Sequence, residues 1–255
     1  MQDVQRYWET EGLDQLVSTY KNPERADPYY TTAGKSTVAF EPEVEDLVRI
    51  HQLIRERKSF TVLEFGVGFS TIIIADALAK NEREFRALPS PPKIRNRFLF
   101  ELFSVDANEY WISKCKTRIP THLAARVHLS YSPVHTGTFN GHLCHFYDKI
   151  PNVIPDFIYL DGPAPKDVQG SVNGLDFSVD ERTVMSGDLL LMESTFLPGT
   201  FILVDGRINN VRFLQRNFQR EYKFAYDPDG DISTFELTEP RLGKYNILGL
   251  DLFTS

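Results

Sequence analysis

The chain has 255 residues, 42% of them hydrophobic, and a formal charge of −7 at pH 7, which suits one large packed domain or a core domain with a small helical attachment. The acidic balance argues against a nucleic-acid partner, because phosphate-backbone binding relies on a clustered excess of Lys and Arg. Two cysteines, Cys115 and Cys144, give no disulfide framework and match a reducing compartment; both read as packing residues.

The first residues, MQDVQRYWETEG, are polar and acidic and lack a basic n-region, so neither a signal nor a transit peptide is expected and the reading is cytoplasmic. The apolar stretch Ile72 to Ala79 is interrupted by Asp76 and falls far short of the roughly 20 residues of a membrane span. Residues 1–60 read as a helical extension or lid. Within them PEVEDLVRIHQLIRER begins at a proline, carries acids early and bases late, and sets Val44, Leu47, Val48, His51 and Ile54 on one face. That helix is expected to cover an edge or the mouth of the main sheet. The segment Tyr29 to Gly34 has no clear period and reads as a lid or a connector.

From Thr61 onward, over residues 61–255, short apolar runs alternate with helical segments, the mark of a mainly parallel α/β sheet. The expected strands are Thr61 to Phe65, Leu99 to Val105, Arg126 to Ser130, Asp156 to Leu160, Thr200 to Val204, Lys223 to Tyr226 and Ser233 to Leu237. Helices are expected over Thr71 to Lys80 and Asn108 to Arg118. Between them Asn81 to Arg97, with its prolines and charges, reads as a surface excursion. Asn140-Gly141, flanked by the alternating runs Gly137 to Phe139 and His142 to Tyr147, predicts a hairpin.

The chemistry-bearing stretch is Val62-Leu63-Glu64-Phe65-Gly66-Val67-Gly68-Phe69-Ser70-Thr71, a strand running straight into a helix. Glycines at such a junction let the backbone turn tightly and let a ligand approach closely, while the helix start offers N–H donors. A bare G-x-G also ends strands for purely steric reasons, and the glutamate two residues before the first glycine sharpens the signal. The next strand ends in Ser104-Val105-Asp106-Ala107, and an acid there is placed to accept hydrogen bonds from ribose hydroxyls or to cap the helix that follows.

Glu64-Phe-Gly66-Val-Gly68-Phe-Ser70 followed by Asp106 resembles the first two motifs of class I S-adenosylmethionine-dependent methyltransferases, closest in pattern to the catechol-type O-methyltransferases. The resemblance implies a Rossmann-like seven-stranded, mostly parallel sheet in the order 3-2-1-4-5-7-6, with helices on both faces. It implies S-adenosylmethionine as cofactor, the glycine loop passing under its methionine part and Asp106 holding its ribose. Glu64, Gly66, Gly68, Ser70, Thr71, Asp106 and Ala107 are the cofactor-binding candidates so implied. Ser70 stands where many members have a third glycine, and Ser130-Tyr131-Ser132 offers no acid for adenine. The resemblance continues through Asp156 to Pro163 and through Asp188 to Asp205, with its Leu197-Pro198-Gly199 turn, and covers Thr61 to about Leu237.

Asp161 and Asp205 end neighbouring strands, and in the metal-dependent relatives equivalent acids hold magnesium. Here Gly206-Arg207 follows the second acid where those enzymes have an asparagine, and a guanidinium beside a cation site is electrostatically unfavourable. Magnesium therefore stays an open candidate, with Asp161 and Asp205 its ligands. Without it, either acid is a candidate general base, and Arg207 is placed to bind an anionic substrate group or to pair with one of the acids. Lys166, in the polar loop Ala164 to Asp176 expected to wall the acceptor pocket, is the second substrate-binding candidate. His135, expected in a loop after the third strand, is the candidate catalytic histidine; His51, His122 and His128 read as structural. His142 and His145 fall on opposite faces if the hairpin forms, which excludes shared ligation.

The sequence thus points to methylation of a hydroxyl on a small molecule such as a sugar, a phenol or a natural-product intermediate. Two other readings compete: a nicotinamide-dependent oxidoreductase, and a cofactor-binding subunit without catalysis. A homo-oligomer is left open. The usual nicotinamide fingerprint places its acid about 20 residues after the glycines, whereas 38 positions separate Gly68 from Asp106.

Overall fold

The computed structural model describes residues 2–18, 43–92, 94, 96–179, 181–240 and 242. The Tyr29 to Gly34 segment and the proline before the third helix lie outside these residues. In chain order the elements are α1 (Gln2–Thr10), α2 (Leu13–Ser18), α3 (Val44–Glu56), β1 (Thr61–Phe65), α4 (Phe69–Ala87), β2 (Glu101–Asp106), α5 (Glu109–Arg118), β3 (Val127–Tyr131), β4 (Val134–Phe139), β5 (His142–Tyr147), β6 (Phe157–Leu160), β7 (Val168–Gln169), α6 (Asp188–Met192), β8 (Phe201–Asp205), α7 (Ile208–Asn217), β9 (Tyr222–Asp227) and β10 (Ile232–Leu237).

The main sheet runs β3-β2-β1-β6-β8-β10-β9. Strands β3, β2, β1, β6 and β8 are parallel, β10 is antiparallel to β8, and β9 is antiparallel to β10. With the β4, β5 and β7 side sheet set apart, this is the expected 3-2-1-4-5-7-6 order. Every side chain of β1 and β6 is buried, as central parallel strands covered on both faces require. One face, carrying Val62, Phe157, Tyr159, Leu203 and Ile232, packs against Ile50 and Ile54 of α3 and Ile72, Ile74 and Leu78 of α4. The other, carrying Leu63, Phe65, Ile158, Leu160, Ile202 and Val204, packs against α6, α7 and the β4–β5 hairpin.

Helix α3 therefore covers a face of the sheet rather than an edge or its mouth. Its Ile50 and Ile54 reach the sheet, while Leu47 and Val48 join Trp8, Leu13 and Ile73 in a separate cluster. A helix held between two partners buries more than one stripe, which is why Ile50 joins the expected face. Its first turn carries Glu45 and Asp46 and its last turn Arg55, matching the helix dipole.

The surface excursion is shorter than the sequence suggests. Helix α4 continues to Ala87, and Asn81 is wholly buried, its Nδ2 donating to the carbonyls of Ile54 at 3.0 Å and Ser59 at 2.8 Å. The charged run after it is the outer face of a helix, and the irregular stretch starts only at Leu88. The hairpin turns at Asn140 and Gly141, with φ of 49° and 77°, the double left-handed geometry of a two-residue turn. His135 sits on β4 and not in a loop. Cys115 and Cys144 are buried free thiols. Among the described residues no helix is long and apolar enough to cross a membrane.

Candidate functional site

The turn from β1 into α4 lies where the sheet order reverses, with β2 on one side of β1 and β6 on the other, the place where open α/β sheets form a ligand crevice. Gly66 has φ +96°, a conformation that glycine adopts without a steric penalty. Its backbone lies against that of Gly162: a Cβ built on Gly162 would come 2.7 Å from Gly66 N. Gly68 is different, for a Cβ there meets nothing nearer than Ser70 Oγ at 3.9 Å. The space beside Gly68 is therefore open.

The turn's own donors are used within the protein. Gly66 N donates to Val105 O at 2.9 Å, Val67 N to Asp106 Oδ2 at 2.9 Å, and Gly68 N to Thr71 Oγ1 at 3.1 Å. The sequence expectation that this bend presents its amide hydrogens to a ligand is corrected for these three. They fix the shape of the bend instead.

Glu64 is wholly buried and accepts hydrogen bonds from Ser70 Oγ at 2.6 Å, Thr71 Oγ1 at 2.8 Å and Ser104 Oγ at 2.6 Å. It joins β1, β2 and the first turn of α4, so Ser70 and Thr71 are turned inward to it. Burial pushes its carboxyl up to about 7, and the three hydroxyls pull the other way. A folded-state pKa above the unfolded one means stability present below about pH 4.5 and lost as pH rises through about 7. Glu64→Gln should therefore gain on the parent between pH 5 and pH 8 by on the order of 3 kcal/mol, read by thermal unfolding at stepped pH. A pH-independent difference would remove the strained carboxylate.

Asp106 ends β2. Beyond Val67, its Oδ1 accepts from Asn108 N at 2.7 Å, and burial pushes the carboxyl up to about 6. Asn108, not Asp106, caps α5, its Oδ1 accepting from Tyr110 N at 3.0 Å. Asp106 remains half-buried at the rim with Ala107 beside it.

At the ends of β6 and β8 stand Asp161 and Asp205. Just over half of the Asp161 side chain (52%) is exposed, yet desolvation by surrounding protein pushes its carboxyl up to about 6. Asp205 accepts from Tyr159 Oη at 2.6 Å, and burial raises its carboxyl too. Arg207, in the left-handed conformation at φ 52°, donates to Pro163 O at 3.0 Å and to Asp161 O, and pairs with Asp161 Oδ1 at 3.6 Å. The guanidinium thus serves one of the acids and the backbone around it.

The fold brings Glu64, Gly66, Gly68, Ser70, Thr71, Asp106, Asp161, Asp205 and Arg207 to the same end of the neighbouring strands β2, β1, β6 and β8. Lys166 follows in the short turn Pro165–Asp167. His135 is exposed and paired with Asp148 at 3.2 Å. No group of three or more His, Cys, Asp or Glu able to hold a metal occurs among the described residues, and the Arg207 guanidinium stands against Asp161, one of the two acids that a magnesium ion would need. A separate concavity of about 1040 Å³, lined by Lys80, Arg83, Arg118 and Arg126, contains none of the site residues.

Sequence reasoning missed Ser104, Gly162 and Tyr159. Strand alternation carries a signal for the first, since Ser104 lies two residues before Asp106 and pairs in register with Glu64.

No family model matches the chain, and no curated protein matches it in sequence. Solved structures similar to it include methyltransferases. One is the O-methyltransferase TomG from Streptomyces achromogenes, involved in tomaymycin synthesis, in complex with S-adenosylmethionine: 14% identity, 78% of this chain and 82% of that one, TM-score 0.42. A putative O-methyltransferase from Klebsiella pneumoniae has 15% identity over 92% of this chain and 90% of its own, TM-score 0.40. A Podospora anserina methyltransferase bound to S-adenosylhomocysteine has 11% identity over 92% and 88%, TM-score 0.43.

Proposed function

We propose that the chain is an S-adenosylmethionine-dependent methyltransferase that methylates a hydroxyl group of a small molecule. The observation that carries the reading is the reversal of strand order at β1, where the turn with the open side of Gly68, the Asp106 carboxylate and the half-exposed Asp161 stand at the ends of neighbouring strands. Gly68 admits the cofactor close to the backbone, Gly66 shapes the bend by packing on Gly162, and Asp106, with Ala107, takes the ribose hydroxyls through its remaining lone pairs. Glu64 keeps Ser70, Thr71 and the bend in position. Residues 1–60 are an extension whose helices support α4 behind that bend.

When bound, the cofactor supplies a methyl group already activated on a sulfonium, so alignment and exclusion of water provide much of the rate. Asp161 and Asp205 then orient the acceptor hydroxyl and take its proton. A carboxyl raised to about 6 suits a base working near neutral pH. Arg207 holds Asp161 in place, and Lys166 on the adjoining loop meets the acceptor's polar groups. His135, tied to Asp148, is left with at most a place on the rim.

Calorimetric titration separates this from the nicotinamide reading. S-adenosylmethionine and S-adenosylhomocysteine are expected to bind, nicotinamide dinucleotides are not, and neither magnesium nor chelator should shift the affinity. Binding of a nicotinamide dinucleotide in place of the sulfur nucleosides would overturn the proposal. A non-catalytic subunit would bind the nucleosides yet transfer no labelled methyl group to any acceptor.

A further inference from the structure

Helix α7 buries Val211, Phe213 and Leu214 in the core and leaves Arg212 and Arg216 exposed. Four residues apart, the two side chains stem from neighbouring turns with Cβ atoms about 6 Å apart, where like charges repel. The helix sequence INNVRFLQRN holds no acid to relieve them, and among the described residues neither arginine forms an ion pair or a hydrogen bond. A third guanidinium comes from the segment after the polar loop. Arg182 N donates to Val179 O at 2.9 Å, closing a turn, and the Arg182 guanidinium donates to Asp176 O. The Asp176 carboxylate itself is engaged by Ser178, through N at 3.0 Å and Oγ at 2.6 Å. Ser186 N donates to Asn210 Oδ1 at 3.0 Å, which ties this segment to α7.

Between the two walls lies a concavity of about 530 Å³, lined by the three arginines, Thr183, Met185 and Phe213, with Glu181 as its one acid. Its size is that of a small-molecule site. Thr183 Oγ1 is buried and has no partner, a state that calls for a ligand or a water to complete it. The larger concavity beside α4 differs, because its bases are already answered: Lys80 pairs with Glu11 at 2.8 Å and with Asp76 at 2.6 Å, and Arg126 with Glu82 at 2.9 Å. Guanidinium groups hold phosphate oxygens through parallel N–H donors, and a threonine hydroxyl adds one donor more. Three such cations against one carboxylate favour a dianion over a monoanion. Val179, Met185 and Phe213 make part of the lining apolar, which suits a ligand with a carbon portion beside its charge.

We propose that Arg182, Thr183, Arg212 and Arg216 hold the phosphate of an organic phosphate ester whose carbon portion lies against Met185 and Phe213. The lining includes neither the glycine bend nor Asp106, Asp161 or Asp205, and the proposal stands whether or not the chain transfers methyl groups. Calorimetric titration at low ionic strength with phenyl phosphate, inorganic phosphate, benzoate and phenol tests it. Phenyl phosphate should bind, inorganic phosphate and benzoate should each bind about fivefold more weakly or less, and phenol should not bind. Added salt should weaken the phenyl phosphate complex. The double variant Arg212→Gln, Arg216→Gln, at exposed positions, should lose about tenfold or more, and Thr183→Val about three- to tenfold. Arg83→Gln, in the other concavity, should bind as the parent does, and saturating S-adenosylhomocysteine should leave the affinity unchanged. No binding of phenyl phosphate, equal binding of phenol or inorganic phosphate, full affinity in the double variant, or displacement by S-adenosylhomocysteine would each overturn the site. Failure of the parent to bind S-adenosylhomocysteine would instead sink the methyltransferase reading and leave the phosphate result standing.

Discussion

Gly162→Ala is expected to destabilise the chain by about 1 to 3 kcal/mol, the usual cost of overpacking, and to lower its thermal midpoint by roughly 3 to 10 °C. The new methyl group would come 2.7 Å from Gly66 N, 2.9 Å from Gly66 Cα and 3.0 Å from the carbonyl carbon of Phe65. All three are backbone atoms of the β1 end, so no flexible side chain can yield and the glycine bend itself has to move. Cofactor affinity should fall with stability. Gly68→Ala supplies the contrast, because its methyl group enters open space. That variant should keep its stability within about 0.5 kcal/mol of the parent and still lose affinity for S-adenosylhomocysteine, since the methyl group enters the space proposed for the ligand. Calorimetry on both variants gives the two readouts together. A Gly68→Ala protein with undiminished affinity would show that no ligand approaches the bend.

Asp106→Ala should cost about 1 to 3 kcal/mol in affinity for S-adenosylhomocysteine, the penalty for leaving buried polar groups unpaired. Asp106 also accepts from Val67 N and Asn108 N, so the alanine variant loosens the bend as well as removing the proposed partner of the ribose. Asp106→Asn separates the effects. It keeps an oxygen for Val67 N while giving up the charge and the acceptor for Asn108 N, so it should be more stable than the alanine variant and still lose most of the affinity. If both variants bind as tightly as the parent, the carboxylate has no part in the site.

Several features could be read directly from residue order. The short apolar runs of β1, β2, β6 and β8 alternating with helices, the glycines after β1 and the acid at the end of β2 specify a parallel sheet with its ligand position at the centre. The Asn140-Gly141 pair specifies a hairpin, because few other dipeptides tolerate two successive left-handed residues. Helix α4 was harder. The charged residues after Lys80 look like a loop until Asn81 is seen donating to Ile54 and Ser59 from across the helix.

The role of Glu64 shows the division most clearly. Its position before Gly66 was visible in sequence, and by resemblance it pointed toward the cofactor; the fold turns it inward to Ser70, Thr71 and Ser104. Arg207 was weighed as a substrate cation or an ion-pair partner, and only the left-handed turn after β8 sets it against Asp161 and two carbonyls.

By itself, the sequence determined the strand pattern, the glycine bend and which carboxylates end strands, because these follow from local periodicity and backbone sterics. Only the tertiary structure decided which donors remain available, which glycine touches another backbone, and that Arg182, Arg212 and Arg216 line one concavity. Those properties belong to contacts between segments far apart in the chain, and no local pattern encodes a contact that strand pairing creates.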